Sequence, residues 1–396
     1  MLVAVAVLTA AAPGSAAAAD PAPPRVPTAQ AAILVDAVDG TVMFSKHPDA
    51  ERSIASTTKL MTALLSLEEA KPSDVFTAPG YDPMPAESRI DLRTGERMTV
   101  QDLLEALLLE SANDAAVDLA QNIAGSRAAF VAQMNERAAQ LGLRHTSYAN
   151  PVGLDDPGNY SSARDLASLA RKLLRNRRFA RIVDSPQATL GSGSHVRVVQ
   201  NRNDLVASYP WVNGVKTGYT TNARNVLVGS AARGARARVV SVVMGEPTEA
   251  ARDADTLTLL RWGLDRFNRV RVIARGRALA RADVKYRDDK ARLVARRAVL
   301  VTVRDGEDLR RHVNAPDELK GPVAKGEKVG SVTVLVDGRR VRRVALVTAE
   351  DVPAAGTLRV LLSEVGVPLT VLIVLAILVA AVLAMFRLRI RIRIAK

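Results

Sequence analysis

The chain has 396 residues, 48% of them hydrophobic and 24% charged, enough apolar material for folded cores and more length than one core usually takes. It contains no cysteine and four scattered histidines, His47, His145, His195 and His312. That excludes a thiol nucleophile, a thiolate zinc site and a disulfide framework, and leaves no HExxH pair on one helix face. The net charge of +14 is unevenly placed: residues 1–260 hold 26 basic and 27 acidic side chains, whereas residues 261–350 hold 23 and 12. A neutral first two-thirds argues against nucleic acid as a partner, and the later basic excess is interspersed with apolar and acidic residues, as on solvated strand faces.

Residues 1–19 form an apolar run and then small residues, with Ala17-Ala18-Ala19 as an A-x-A cleavage site before Asp20; this is the pattern of a secretory signal. No basic residue precedes the run, so a start upstream of Met1 is expected. The Pro-rich 20–30 stretch predicts an extended leader. Residues 32–38 and 41–44 read as two strands around the Asp39-Gly40 turn. Helical spacing follows at Leu60, Ala63, Leu64 and Leu67 and again at Leu103, Leu104, Leu107 and Leu108, and helices are predicted over 126–141 and 162–176. From Trp211 the pattern changes to strands over 212–217, 226–232 and 238–243, with a helix over 249–267. A body of 31–268 with strands at both ends of a helical middle is an α/β (α+β) domain.

Short Val-, Leu- and Ile-rich segments with turns at Asp305-Gly306, Lys325-Gly326 and Asp337-Gly338 predict a small β-rich domain over 269–352. A linker, 353–364, leads to the 22 uncharged residues 365–386, which span roughly 33 Å as a helix, the thickness of a bilayer core. Arg387, Arg389, Arg391, Arg393 and Lys396 follow. The positive-inside rule puts this 387–396 tail in the cytoplasm and the body outside, a single-pass membrane protein anchored by its C-terminus.

Three motifs carry candidate chemistry. Ser56-Thr57-Thr58-Lys59 opens a predicted helix, and a three-residue separation places the hydroxyl and the amine on one face. A desolvated lysine among other cations can act as the base that a serine nucleophile needs. Ser111-Ala112-Asn113 offers a second hydroxyl to relay protons and an amide to hold a peptide bond. Lys216-Thr217-Gly218 ends a predicted strand, where the strand edge can pair with an extended substrate, Lys216 supplies charge, Thr217 a hydroxyl, and Gly218 room for close approach. Each motif alone is weak. S-x-x-K, S-x-N and K-T-G nevertheless occur once each, in that order, the set shared by class A β-lactamases and penicillin-binding proteins.

With the surrounding segments "ILVDAVDGTVMFSK", "IASTTKLMTALLSLE", "LLLESANDAAVDLA", "NPVGLDDPGNYSSARDLASLA", "NGVKTGYT" and "GPVAKGEKVGSVTVLVDG", the chain resembles the low-molecular-mass D-alanyl-D-alanine carboxypeptidases of the S11 peptidase type. The resemblance implies a β-lactamase/DD-peptidase-like domain, an antiparallel sheet flanked by helices, that trims the terminal D-alanine from the peptidoglycan stem peptide without metal or cofactor. It implies that Ser56 is the nucleophile, Lys59 its base and Ser111 the proton relay. Asn113 would hold the substrate amide, Lys216, Thr217 and Gly218 would serve the substrate carboxylate end, and the N–H groups of Ser56 and Tyr219 would form the oxyanion hole. β-Lactam antibiotics would acylate Ser56 and leave slowly.

Departures from the family pattern are Ala112 for a common Gly, Val152 where many relatives have His, and Arg224 where many have Gly. Arg252 matches an arginine often seen there and fits either carboxylate binding or a surface helix position. A class A β-lactamase would need a deacylating glutamate between S-x-N and K-T-G. Only Glu136 lies there, inside a predicted helix. A D,D-endopeptidase using the same machinery and a non-catalytic wall-binding module are the remaining alternatives.

Overall fold

The computed structural model describes residues 22–394, so the signal segment and the start of the leader lie outside the described residues. The chain divides after Asn268 into two compact units.

The first unit is built on a five-stranded antiparallel sheet: β1 (Ala31–Asp36), β2 (Val42–Lys46), β3 (Val212–Thr220), β4 (Arg224–Arg233) and β5 (Ala237–Glu246), in the order β2-β1-β5-β4-β3. The helices used below are α1 (Lys59–Glu69), α2 (Asn113–Ala124), α3 (Ala163–Leu173) and α4 (Glu249–Leu264). Every residue of β1 is buried, because the sheet is covered on both faces. Successive side chains alternate between the two covers: Ile33 and Val35 join the core that holds α1, α2 and α3, while Ala32 and Leu34 join the core that holds α4. Val240 and Val242 against Val239 and Val243 repeat the alternation on β5.

Helix starts follow their capping residues. Ser126, Ser162 and Thr248 each accept from the backbone N–H three residues on, that of Ala129, Asp165 and Ala251. The predicted 103–108 helix is instead a short helix, Val100–Glu105, that widens into a π-turn, Ala106–Glu110, and ends with Ser111 at φ +66. The middle of the unit also contains a hairpin, Gln187–Leu190 with Arg197–Gln200, which hydrophobic periodicity did not mark.

The second unit is all-β up to Val352. Six strands form one sheet in the order Leu309–Asn314, Lys328–Val336, Arg339–Thr348, Lys290–Ala295, Ala278–Val284 and Glu318–Leu319. The Asp337-Gly338 turn has positive φ at both residues, +47° and +73°, as two-residue hairpins require. After it come the helices Thr357–Val365 and Val367–Ile394. Among the described residues no helix is long and apolar enough to cross a membrane. The bilayer span expected over 365–386 is therefore not shown.

Candidate active site

Ser56 lies in a 3₁₀ turn, Ala55–Thr58, that runs directly into α1. Lys59 leaves the same side of this first turn, and its Nζ is 3.0 Å from Ser56 Oγ. The lysine is fully buried, and its amine donates to the Val152 carbonyl at 2.5 Å. A loop folded on Asn150 presents that carbonyl: Asn150 Oδ1 accepts from the N–H groups of Val152, Gly153 and Leu154 at 3.3, 2.7 and 3.2 Å. Thr62 Oγ1 ties the loop to α1 by donating to Pro151 O at 2.7 Å. Gly153 sits at φ +94, and a Cβ there would lie 2.1 Å from Ala55 O. Only glycine lets the loop close on the serine turn.

Burial and then the charge of Lys216 push the Lys59 pKa well below the ordinary amine value, against smaller upward pulls from Glu87 and Asp114. Lys216 on β3 is likewise buried. Burial, Arg202 and Arg252 bring its pKa down to about 7, against an opposing pull from Glu110. Its Nζ donates to Thr217 O at 3.1 Å. Arg252, on α4, is 4% exposed and ion-paired to Asp253 at 2.9 Å, so the surface position considered from sequence is not the one it takes.

The K-T-G strand forms one edge of the sheet, free to pair with an extended chain. A Cβ on Gly218 would lie 3.0 Å from Ser56 N and 3.0 Å from Ala55 Cβ, so glycine brings the strand against the Ser56 backbone. Thr217 is nearly buried, whereas Tyr219, paired with Asn225 on β4, is 65% exposed. Arg224 turns between β3 and β4 at φ +56, a conformation glycine takes without strain.

The S-x-N element is held by a loop that sequence reasoning passed over. Ser111, buried and left-handed, and Ala112, extended, lead into α2 at Asn113. The Asn113 backbone N–H donates to Ser88 O at 2.8 Å, and Asn113 Nδ2 donates to Glu87 Oε2 at 2.6 Å. Glu87 also accepts from Tyr81 Oη and from the Met84 N–H. Burial raises the Glu87 pKa, but those hydrogen bonds and the Lys59 charge outweigh it and hold the carboxyl below its usual value. Asp114 fastens the rest of the loop by accepting from the N–H groups of Ile90 and Leu92, at 3.1 and 3.0 Å from Oδ2. The structure thus brings Ser56, Lys59, Asn113, Lys216 and Gly218 into one linked region. Among the described residues Ser111 Oγ makes no hydrogen bond to Ser56 or Lys59. Glu136 lies on the helix Arg127–Gln140, where its side chain accepts from Gln140.

Residues 17–248 match the Peptidase S11 family model, described as D-alanyl-D-alanine carboxypeptidase, and residues 267–354 match the C-terminal domain of penicillin-binding protein 5. D-alanyl-D-alanine carboxypeptidase DacF of Bacillus subtilis is 31% identical over 348 residues, 85% of this chain and 89% of that one. The crystal structure of penicillin-binding protein 5 from Haemophilus influenzae is 31% identical with a TM-score of 0.60, covering 84% of this chain and 99% of that chain. The Streptomyces K15 DD-transpeptidase structure is 30% identical at a TM-score of 0.55, over 60% of this chain and 97% of that chain. A serine turn opposed by a buried lysine, backed by a K-T-G edge strand, and followed by a β domain of matching type place the molecule: the chain belongs to the S11 family of D-alanyl-D-alanine carboxypeptidases.

Proposed function

We propose that this chain is a serine-type D-Ala-D-Ala carboxypeptidase that removes the terminal D-alanine from peptidoglycan stem peptides through an acyl-enzyme, and that β-lactams trap the same serine. The observation that carries the reading is the buried Lys59 amine 3.0 Å from Ser56 Oγ. An amine that burial and Lys216 drive toward its neutral form has a lone pair to accept the Ser56 O–H. The Val152 carbonyl takes one of its N–H bonds and so fixes which way the lone pair points.

Ser56 Oγ attacks the carbonyl carbon of the penultimate D-alanine as its proton passes to Lys59. The oxyanion is received by the N–H groups of Ser56 and Tyr219. The C–N bond then breaks, the departing D-alanine amine takes a proton relayed through Ser111, and water hydrolyses the ester to restore Ser56. Asn113 holds the substrate amide, Lys216 and Thr217 face its carboxylate, and Gly218 leaves space for the chain along β3.

Export and anchoring belong to the same proposal. They are supported by the signal-like residues 1–19 and by the uncharged residues 365–386 ahead of five basic side chains. The experiment compares the purified full chain in detergent with its Ser56→Ala variant, measuring D-alanine release from diacetyl-Lys-D-Ala-D-Ala and labelling by a fluorescent penicillin. Both signals are expected in the wild type and absent from the variant. Labelling without release would transfer the substrate to crosslinks, the endopeptidase reading.

A further inference from the structure

A cleft of about 920 Å³ opens on the first unit between the end of α3, the helix Arg177–Val183 and the strand ends at Ala37 and Arg238. None of its lining residues belongs to the three motifs. Five of them are arginines, Arg171, Arg175, Arg177, Arg181 and Arg238, and no lining residue is acidic.

Elsewhere on this unit arginines are commonly paired with carboxylates, as in Arg137 with Glu68, Arg164 with Asp49 and Arg197 with Glu96. Among the described residues none of the five cleft arginines has such a partner. Arg171 donates to the carbonyls of Ala37 and Val38, at 3.2 and 3.4 Å, and Arg181 to the carbonyl of Arg177. The Arg171 guanidinium is held in place over Gly40, where a Cβ would meet it at 2.2 Å. The carboxylates whose field reaches Arg171, Asp39 and Asp36, are themselves engaged by Arg236. Burial and the neighbouring Arg175 both disfavour the Arg171 charge, yet a guanidinium does not release its proton in a protein. Like charges gathered in a concavity in a unit of nearly zero net charge are a standing electrostatic cost, which a bound anion would remove.

We propose that this cleft binds a phosphate-bearing anion of at least two negative charges, with Arg171 as its fixed contact and Arg175, Arg177, Arg181 and Arg238 closing around it. Phosphate is the class that fits because the planar guanidinium fork donates two parallel hydrogen bonds to it, and several forks can share one multiply charged group. The volume is that of a ligand pocket and admits a phosphorylated sugar or an anionic headgroup.

The test uses the full chain in non-ionic detergent with tripolyphosphate as the probe, its binding followed by calorimetry. Arg175→Gln/Arg177→Gln/Arg181→Gln changes exposed residues only, and retained fluorescent-penicillin labelling reports that the fold is intact. Should that variant fail to label, Arg175→Gln/Arg181→Gln is the second. Saturable one-to-one binding that weakens at least about tenfold in the labelling-competent variant is expected, given the strength of charge-assisted bonds to phosphate. Absence of binding, or equal binding by wild type and variant, would overturn the proposal. With binding established, competition by mixed micelles of cardiolipin, whose headgroup carries two phosphates, identifies a lipid headgroup as the source of the phosphate, and tripolyphosphate binding unaffected by such micelles identifies a soluble one.

Discussion

Glu87 Oε2 accepts a hydrogen bond from Asn113 Nδ2 at 2.6 Å, and its charge also reaches Lys59. One carboxylate therefore bonds to the amide proposed to hold substrate and acts through its field on the amine proposed to take the serine proton. Its negative charge raises the Lys59 pKa, so the Glu87→Gln variant, which keeps an acceptor and loses the charge, should shift the acidic limb of penicillin acylation toward lower pH. Glu87→Ala should also slow acylation by about tenfold or more, the loss of a charge-assisted hydrogen bond of roughly 1.5–3 kcal/mol. The pH profile of second-order acylation rates checks both. A slowed rate with an unmoved limb would reduce Glu87 to a structural part of the loop.

The alkaline limb is expected to come from Lys216. Its pKa lies at about 7 because of burial, Arg202 and Arg252, and a carboxylate is held only by the protonated form. As pH rises through about 7 the free enzyme loses that proton, and KM for a substrate ending in a free carboxylate should rise while kcat changes less. A substrate esterified at that carboxylate should not show the rise. Steady-state kinetics of the two substrates from pH 6 to 9, in steps of about one unit, would reveal an error if both gave the same profile.

The starts of α3 and α4 and the strands β3 to β5 were legible because their signals are local: a capping hydroxyl, a 3.6-residue period, a run of β-branched residues; both helices stop three residues short of the expected ends. The proximity of Ser56 and Lys59 was legible for the same reason, since the two share one helical turn. Glu87 was not. It lies in a loop, 78–96, without periodicity, and acquires its partners only when Asp114 ties Ile90 and Leu92 to the start of α2. The burial of Lys216 was equally hidden. A lysine at a strand end reads from sequence as a solvated charge, and only the packing of β3 against the serine turn and the helix Arg177–Val183 makes it a desolvated one. The part played by residue 152 was hidden for a related reason: the atom that meets Lys59 is its backbone oxygen, which the side-chain identity does not report.

That distinction gives a paired test at the Asn150 loop. Val152→Ala keeps the carbonyl and removes two buried methyl groups, so it should leave acylation nearly unchanged while lowering stability by about 1–2 kcal/mol. Gly153→Ala must place a methyl group 2.1 Å from Ala55 O at φ +94. The loop should back away from the serine turn, carrying the Val152 carbonyl from Lys59, and acylation should fall together with Tm. Labelling rates and thermal melts of the two variants provide the check; a Val152→Ala enzyme as slow as Gly153→Ala would show that the side chain matters.

Asp118 lies one turn beyond Asp114 on α2, fully buried, with Oδ1 accepting from Asn122 Nδ2 at 2.6 Å and Oδ2 without a hydrogen-bond partner among the described residues. Burial first, and then the charge of Asp114, raise its pKa from 3.8 to about 7. A carboxyl that holds its proton more tightly when folded leaves the native state at full stability below the unfolded pKa. Stability then falls as pH climbs from about 3.8 to about 7, because the unfolded chain gains by ionising first. Above that window the deficit is constant, at most about 4 kcal/mol. Asp118→Asn retains the acceptor for Asn122 and has no proton to lose, so it should raise Tm at pH 8 and leave it nearly unchanged at pH 4. Melting curves at the two pH values would refute the assignment if the gain were the same at both, since a gain independent of pH could only come from packing or hydrogen bonding.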